Sequence, residues 1–402
     1  MTEVASTARR DIVRDRPTWL SYLNIGLFGY FLYAFGPTVA LLRDEQGYTR
    51  SVASLHGTAM AVGSVVVGLT ATRFVRWMGR GAMLRLGSAL MAGGILIYTG
   101  FDPLPLTLLG IFLAACGGTF AMVGVNAFLP AHHVAASARA MSEAHGLGAT
   151  MGLLGPLAVG GGVWLGWGWR PGLIVTCLGL AVLELLRGRR LSDFDTELDH
   201  HAAAPSSTVR APLPRLYWYA FVVFALCAGT EFSLMLWGSD LLRDRAGLGE
   251  AAAAASIVTI VGGMAIGRVG GSVVVGRFEP DRVLIGTMAL SILGFAIAWL
   301  SSSPVPMLVG FAITGLGLGL QSPLAISRAV LASGGQVDRG AGLSSVAAGA
   351  ASGIAPFALA AVADAIGVHL AFLIVPALLA TGIALVAIGR VPVGGIPAQA
   401  AS

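Results

Sequence analysis

Lysine is absent from this sequence of 402 residues; all 25 basic residues are arginine. Charge of either sign is scarce, at 11% of residues, against roughly 25% in a soluble domain. Such a chain has too little polar surface to cover a large core in water, which excludes a soluble globule. The lack of lysine removes the phosphate loop Gly-x-x-x-x-Gly-Lys-Ser/Thr, and with it ATP-driven work by this chain. Cysteine is nearly absent too. Cys116, Cys177 and Cys227 each lie inside an apolar run, which reads as packing and not as a disulfide framework or a metal site. No Gly-x-Ser-x-Gly elbow stands in a strand-turn-helix setting, and no Ser-His or paired Asp suits intramembrane proteolysis. No enzyme and no cofactor is expected.

What is present is apolar. Hydrophobic residues make up 56% of the chain, and the mean hydropathy is +0.80. Glycine is abundant, with 56 residues, but follows no Gly-X-Y period, so a collagen-like rod is excluded. The lipid bilayer is the natural solvent. The formal charge of +5 does not suggest nucleic acid, because the arginines fall in short clusters between apolar runs and not along one face. Residues 1–16 are polar and no short apolar run with a cleavage site follows, so no removable signal peptide is expected.

A helix needs about 20 mostly apolar residues to cross the hydrocarbon. Twelve runs meet this, near 18–42, 52–72, 82–100, 105–129, 141–163, 170–186, 216–241, 250–275, 283–301, 304–326, 341–363 and 367–389. Most connections are short. The stretch 187–215, rich in Arg, Asp, His, Ser and Pro, reads as a surface linker between two groups of six spans. The expected organisation is an N-terminal bundle over 1–186, a cytoplasmic linker over 187–215 and a C-terminal bundle over 216–402. With the N-terminus inside, 19 arginines fall on the cytoplasmic side and 5 outside, and Arg268 lies within a span. That imbalance predicts cytoplasmic termini in a multi-pass plasma-membrane protein.

The halves look duplicated. Leu41-Leu42-Arg43-Asp44 ends the first span, and Leu241-Leu242-Arg243-Asp244 ends the seventh. The same offset of 200 carries Arg139 onto Arg339 and Pro156 onto Pro356. Two parallel six-span repeats are a known transporter design, with the substrate site between them near the midplane.

These features resemble the major facilitator superfamily over essentially the whole chain. Gly148, Gly152, Gly155-Pro156 and Gly160-Gly161-Gly162 in span 5 resemble the Gly-Pro signature of its drug exporters, with one extra residue after Pro156. Trp169-Arg170 before span 6 is similar to a frequent pair of the family. Gly68, Arg73, Gly79 and Arg80 resemble its loop signature between spans 2 and 3, but Thr72 stands where the family has Asp. The usual charge latch therefore lacks its acid. Asn126, Arg139, His145, Gly148 and Gly155-Pro156, with Glu231, Trp237 and the run from Gly263 to Arg268, resemble the fucose- and glucose-type permeases. The resemblance implies an all-α membrane protein of twelve helices in two pseudo-symmetric bundles.

Buried charge marks the candidate site. Glu231 lies roughly 15 Å deep in span 7 at about 1.5 Å per residue. A carboxyl there is costly and reads as the proton-coupling residue, or as a structural Glu held by a neighbour. Arg268 lies about 27 Å along span 8, some 12 Å deeper, which argues against a direct pair. It either contacts an anionic or hydroxylated substrate or serves a cytoplasmic-side ion pair. Asn24, Tyr30, Tyr33, Asn126, Trp237 and Gln321 are further substrate-binding candidates, each also suited to an interhelical hydrogen bond. Gly148, Gly152, Gly155 and Pro156 in span 5, and Gly263, Gly267 and Gly271 in span 8, are expected to form a smooth seam between the halves, because the family sets these spans together. Glu143 and His145 sit near the cytoplasmic mouth. His132-His133 and His200-His201 have no convincing third ligand, so no metal is expected.

The expectation is a monomeric secondary transporter that moves a small organic solute by alternating access, coupled to protons. Export by antiport is favoured slightly. Proton-coupled uptake of a sugar or organic acid is the alternative, and a non-transporting receptor or assembly partner on the same scaffold is a further one.

Overall fold

The structure is a computed structural model that describes residues 13–133, 136–194, 212–275, 277–334 and 336–389. All regular elements among the described residues are helical. They are α1 (Arg16–Gln46), α2 (Arg50–Met78), α3 (Arg80–Gly100), α4 (Leu104–His132), α5 (Ser137–Trp164), α6 (Arg170–Arg187), α7 (Arg215–Ala246), α8 (Glu250–Ser256), α9 (Val258–Val275), α10 (Pro280–Leu300), α11 (Pro304–Leu331), α12 (Val337–Ile366), α13 (Val368–Ala371) and α14 (Ile374–Ile388), with a 3-10 turn over Ser192–Phe194. The eighth expected span is broken once, at Ile257, into α8 and α9, and the twelfth into α13 and α14.

Local chemistry sets the ends. Asp15 caps α1, its Oδ1 accepting from the Thr18 amide at 3.1 Å and the Thr18 hydroxyl at 2.6 Å. Gly47, at φ 67°, takes the left-handed conformation that stops the helix. Its partner 200 residues on, Gly247 at φ 63°, stops α7 in the same way. The helices overrun the apolar runs, α7 to Ala246 and α11 to Leu331, because charged last turns stay helical outside the hydrocarbon. Pro37, Pro130, Pro156, Pro323 and Pro356 all lie inside helices. Membrane helices tolerate this because packed neighbours re-satisfy the freed carbonyls.

Eleven of the described helical segments are long and apolar enough to cross a membrane, one fewer than the sequence predicts. The difference is α6. Its 18 residues hold Arg170, Glu184 and Arg187, and at about 1.5 Å per residue they still cover nearly 30 Å.

Two bundles repeat one packing plan. α1 packs on α5 as α7 packs on α12, and α3 on α4 as α10 on α11. The last contact is backbone against backbone. A methyl on Gly94 would lie 2.4 Å from the Gly110 carbonyl, and one on Gly294 would lie 2.8 Å from that of Gly310. Large apolar side chains such as Trp77, Leu185, Val269 and Ile388 cover the outside, where lipid would meet them.

Of the linker, residues 195–211 lie outside the described residues, as do His200-His201 and both chain ends. Its first part is exposed at Arg189, Arg190, Ser192 and Asp193 and docked at its end. Phe194 is buried with its ring 5.3 Å from Phe128, and the Leu191 carbonyl lies against Gly81. An apolar ring inside a polar run was the signal for this docking.

Candidate functional site

The bundle has a near end, where α1 begins, and a far end, where α1 stops. The described hydrogen bonds between the halves gather toward the far end. Asp240 on α7 accepts from Arg43 Nη1 at 2.8 Å and from Arg50 Nε at 2.7 Å. Asp44 pairs with Arg43 and with Arg243 of the other half. Asp364 on α12 accepts from the Ser51 hydroxyl at 2.6 Å and from the Ser51 and Arg50 amides at 2.8 and 3.0 Å, capping the start of α2. Trp237 donates to Ser54 Oγ at 3.0 Å, and Ser54 donates to the Pro356 carbonyl at 3.2 Å. Gly36 brings α1 onto α7, since a Cβ there would lie 2.2 Å from the Met235 carbonyl. This clasp holds the first half to the second.

Between the halves lies a cavity of about 810 Å³ that runs toward the near end. Ile25, Phe28, Leu32, Met122, Phe224 and Leu324 give it largely apolar walls, into which Tyr33, His145, Glu231, Arg268 and Ser322 bring polar groups. Glu231 accepts from Ser322 Oγ at 3.2 Å. Arg268 donates from Nε to the Gly319 carbonyl at 3.3 Å and stands beside the Tyr33 hydroxyl. Glu231 and Arg268 share the cavity and interact electrostatically, but no ion pair within 4.0 Å joins them among the described residues. One acid, an arginine, a histidine, a phenol and serine hydroxyls thus face a mostly apolar space, an arrangement that suits an amphiphilic solute.

The other candidates divide. Asn126 is bonded to His145 Nε2 at 3.2 Å at the cavity edge. Asn24 is buried in α1 with its amide nitrogen unpartnered. Tyr30 turns away from the cavity and donates to the Gly172 carbonyl on α6 at 2.6 Å. Trp237 belongs to the far-end clasp, with Arg43 5.8 Å above its ring. Gln321 ties α11 to α10, donating to Ser291 Oγ at 2.9 Å and the Thr287 carbonyl at 3.3 Å. For Tyr30, Trp237 and Gln321 the interhelical reading of the sequence describes the contacts found.

The glycine seam is a correction. Gly148, Gly152 and Gly155 of α5 lie against Ile25, Tyr33 and Tyr30 of α1, within their own half. Gly263, Gly267 and Gly271 lie against Ala312, Leu316 and Leu320 of α11, again within one half. Glycine here allows neighbours in the same bundle to touch, which a face of small residues cannot distinguish from a partner across the interface. Spans 5 and 8 do meet across the halves, but through Gly160 with Ala251 and Ala255, and through Leu153 with Gly262. Pro156 lies inside α5 one turn before Gly160.

At the near end Glu143 accepts from Arg14 Nη2 at 2.8 Å and Tyr22 at 3.1 Å, so it is tied into a network. A third residue does join the histidine pair. Asp15, His132 and His133 place their ligand atoms within 4.8 Å of one another. They are satisfied by hydrogen bonds, Asp15 Oδ2 accepting from His132 Nε2 at 2.7 Å and Thr18 Oγ1 bonded to His133 Nε2 at 2.8 Å. Burial opposes the charge on Asp15, but bonds from Thr18 and His132 hold its carboxyl below the usual range. Burial, and then the neighbouring His132, push His133 below its ordinary value.

Asp240, Arg50, Ser54 and Asp364 are the site residues that the sequence reading missed. Asp240 lies inside an apolar run, just as Glu231 does, and an acid in a span was the available signal.

No family model matches the chain. It is 25% identical over 307 residues, 75% of this chain and 77% of the relative, to an uncharacterized MFS-type transporter of Yersinia pestis. Among solved structures it resembles a bacterial homologue of the human lysosomal transporter Spinster, with TM-score 0.70 and 11% identity over 92% of this chain and 96% of that one. It resembles the nucleoside transporter NupG at TM-score 0.71 and 12% identity, covering 93% and 98%. The E. coli fucose:proton symporter FucP aligns at TM-score 0.62 and 16% identity, covering 93% and 98%. The chain has the major facilitator superfamily fold. The superfamily resemblance read from span 5 and the duplicated halves is thus matched by the tertiary structure, and the fucose-type symporter is among the neighbours. All the proteins named here are transporters or symporters, not enzymes.

Proposed function

We propose that this chain is a secondary transporter of the plasma membrane that moves an amphiphilic organic solute by alternating access. One observation carries the reading: a cavity of about 810 Å³ between the halves, holding Glu231 and Arg268, clasped at the far end and continuing toward the near end. The 19-to-5 distribution of arginines assigns the near end, and both termini, to the cytoplasm. The conformation is then inward-facing. Bundles 1–186 and 216–402 rock about the cavity, opening the clasp of Asp240 with Arg43 and Arg50 in the outward state.

Glu231 is the proton carrier. Arg268 and Tyr33 contact the polar head of the solute, with Asn126 positioning His145 behind them, while Phe28, Met122 and Phe224 contact its apolar part. Export is the favoured direction, because the Gly-Pro element of α5 resembles that of exporters. Uptake of a sugar or organic acid is the second reading, supported by the likeness of spans 4, 5, 7 and 8 to the fucose-type permeases.

The test begins with purified protein and a panel of sugars, organic acids and hydrophobic cations, scored by the rise in melting temperature. Hits are then carried into proteoliposomes under an imposed pH gradient. Wild type is expected to accumulate the solute, and Glu231→Gln to equilibrate it without concentrating it. Undiminished accumulation by Glu231→Gln ends the coupling role. A panel without hits and without gradient-driven flux ends the transport reading.

A further inference from the structure

A second cavity, of about 530 Å³, opens on the outer face of the C-terminal half. Its walls come from α9 and α10, and Leu316 and Leu320 of α11 form its floor. α9 and α10 scarcely touch each other, although each packs closely on α11. The result is a groove between diverging helices, lined by Ile266, Val274, Phe278, Val283 and Leu290 with almost nothing polar along its length.

Two of its glycines are not explained by helix packing. A side chain on Gly267 or Gly271 would strike α11, but one on Gly270 or Gly286 would meet nothing within 4 Å. Glycine at these two positions keeps the groove empty without bringing any backbones together. An apolar hollow at membrane depth is filled by hydrocarbon, since water there would find no hydrogen-bond partner.

The near end of the groove is charged. Arg282 lines its mouth with its side chain 77% exposed, and Glu279 holds only the Nε edge of that guanidinium, at 3.0 Å. Asp281, beside it, is taken by the buried Arg328 at 2.9 Å. With Asp281 neutralised by Arg328, the connection from α9 to α10 and the start of α10 hold Arg277 and Arg282 against Glu279, a net positive charge.

We infer that this groove is a binding site for an anionic phospholipid, one acyl chain lying between α9 and α10 and the headgroup phosphate on Arg282. Leu320 forms part of both the groove and the central cavity, so the bound chain presses on a wall of that cavity. The inference needs the chain to span a bilayer, and it stands whether or not the chain transports.

The test is native mass spectrometry of the full chain after incubation with equal amounts of phosphatidylglycerol and phosphatidylcholine. Wild type is expected to retain phosphatidylglycerol about fivefold more, the effect of one arginine near a charged membrane surface. Arg282→Gln, at an exposed position, is expected to fold normally and lose that preference. Gly270→Leu fills the groove and is expected to lose the retained lipid of both kinds at unchanged melting temperature. Equal retention of the two lipids by wild type, or an undiminished preference in Arg282→Gln, overturns the inference and leaves only the annular lipid of any membrane protein. Retention of phosphatidylglycerol by folded Gly270→Leu places the lipid elsewhere and overturns it equally. If Gly270→Leu does not fold, Arg282→Gln decides alone.

Discussion

Gly94 and Gly110 bring α3 onto α4 as Gly294 and Gly310 bring α10 onto α11, yet Phe31 fills the place that Glu231 holds in the second half, and Gly68 the place of Arg268. The halves share their packing and differ in their charge. Packing positions are constrained within each bundle, where a methyl group on either glycine would collide with a neighbouring backbone, so both copies carry the same solution. Charge is constrained between the bundles, where two identical faces would repel. At the far end one half supplies the bases Arg43 and Arg50. The other supplies Asp240, whose equivalent is Ala40. The repeated Arg-Asp pair still meets itself across the halves, Asp44 with Arg243, and divergence at Asp240 adds the ion pairs that the repeat alone does not make.

The largest expected effect is at that divergence. Asp240→Ala takes its carboxylate from Arg50 and leaves Arg43 with Asp44 alone, and removing one partner of a buried pair costs about 3–5 kcal/mol. The loss falls on the state in which the clasp is closed. A cysteine placed at Phe232, between the clasp and Glu231, is expected to react faster with an impermeant thiol reagent from the far side. An unchanged rate would show that the clasp is not the gate.

The shared packing is tested next. Gly94→Val and Gly294→Val each force overpacking at a backbone contact, expected to cost about 1–3 kcal/mol and to be similar in the two halves. Gly93→Val, with open space beside it, serves as the control and is expected to leave the melting temperature unchanged. Unequal losses at 94 and 294 would break the equivalence of the bundles.

Smaller effects belong to features of one half alone. α1 begins with the Asp15 cap, but α7 begins after Pro214 with no side-chain cap. Asp15→Ala is expected to cost about 1 kcal/mol, read as faster amide exchange over the first turn of α1. The smallest effect is its pH dependence. Asp15 and His133 are both held below their ordinary values of 3.8 and 6.5, so the unfolded chain binds protons more readily at both. Their contribution is complete above those values and is lost as the pH falls through the folded ones. The melting difference between wild type and Asp15→Ala is therefore expected to shrink on acidification below pH 3.8, the ordinary value of the carboxyl that the variant removes. A difference that grows would reverse the sign.

The fold was legible because its signals are local. Apolar run length, the 200-residue offset and the arginine clusters each follow from the chain's contact with lipid, and they located each span but not the breaks in the eighth and twelfth or the overrunning ends of α2, α7 and α11. Glu231 and Arg268 were legible for the same reason, since charge inside an apolar run stands out without any knowledge of neighbours. The roles of Tyr30, Trp237 and Gln321 were not, because a polar side chain within a span looks the same whether it faces a cavity or a neighbouring carbonyl. Gly148 and Gly267 carry the same ambiguity. A glycine face records that something approaches closely, not which helix it is.

By itself, then, the sequence determined the apolar helical spans, the repeat and the presence of Glu231 and Arg268 within those spans, all of which depend on residue type and spacing along the chain. Tertiary structure alone decided which faces meet. It joined Asp240 to Arg43 and Arg50 across 190 and more residues, placed Glu231 and Arg268 in one cavity without contact, and left a groove beside Gly270 and Gly286. The physical reason is that helix formation is settled within a few turns of chain, whereas a clasp or a cavity exists only once two separate surfaces have been brought together.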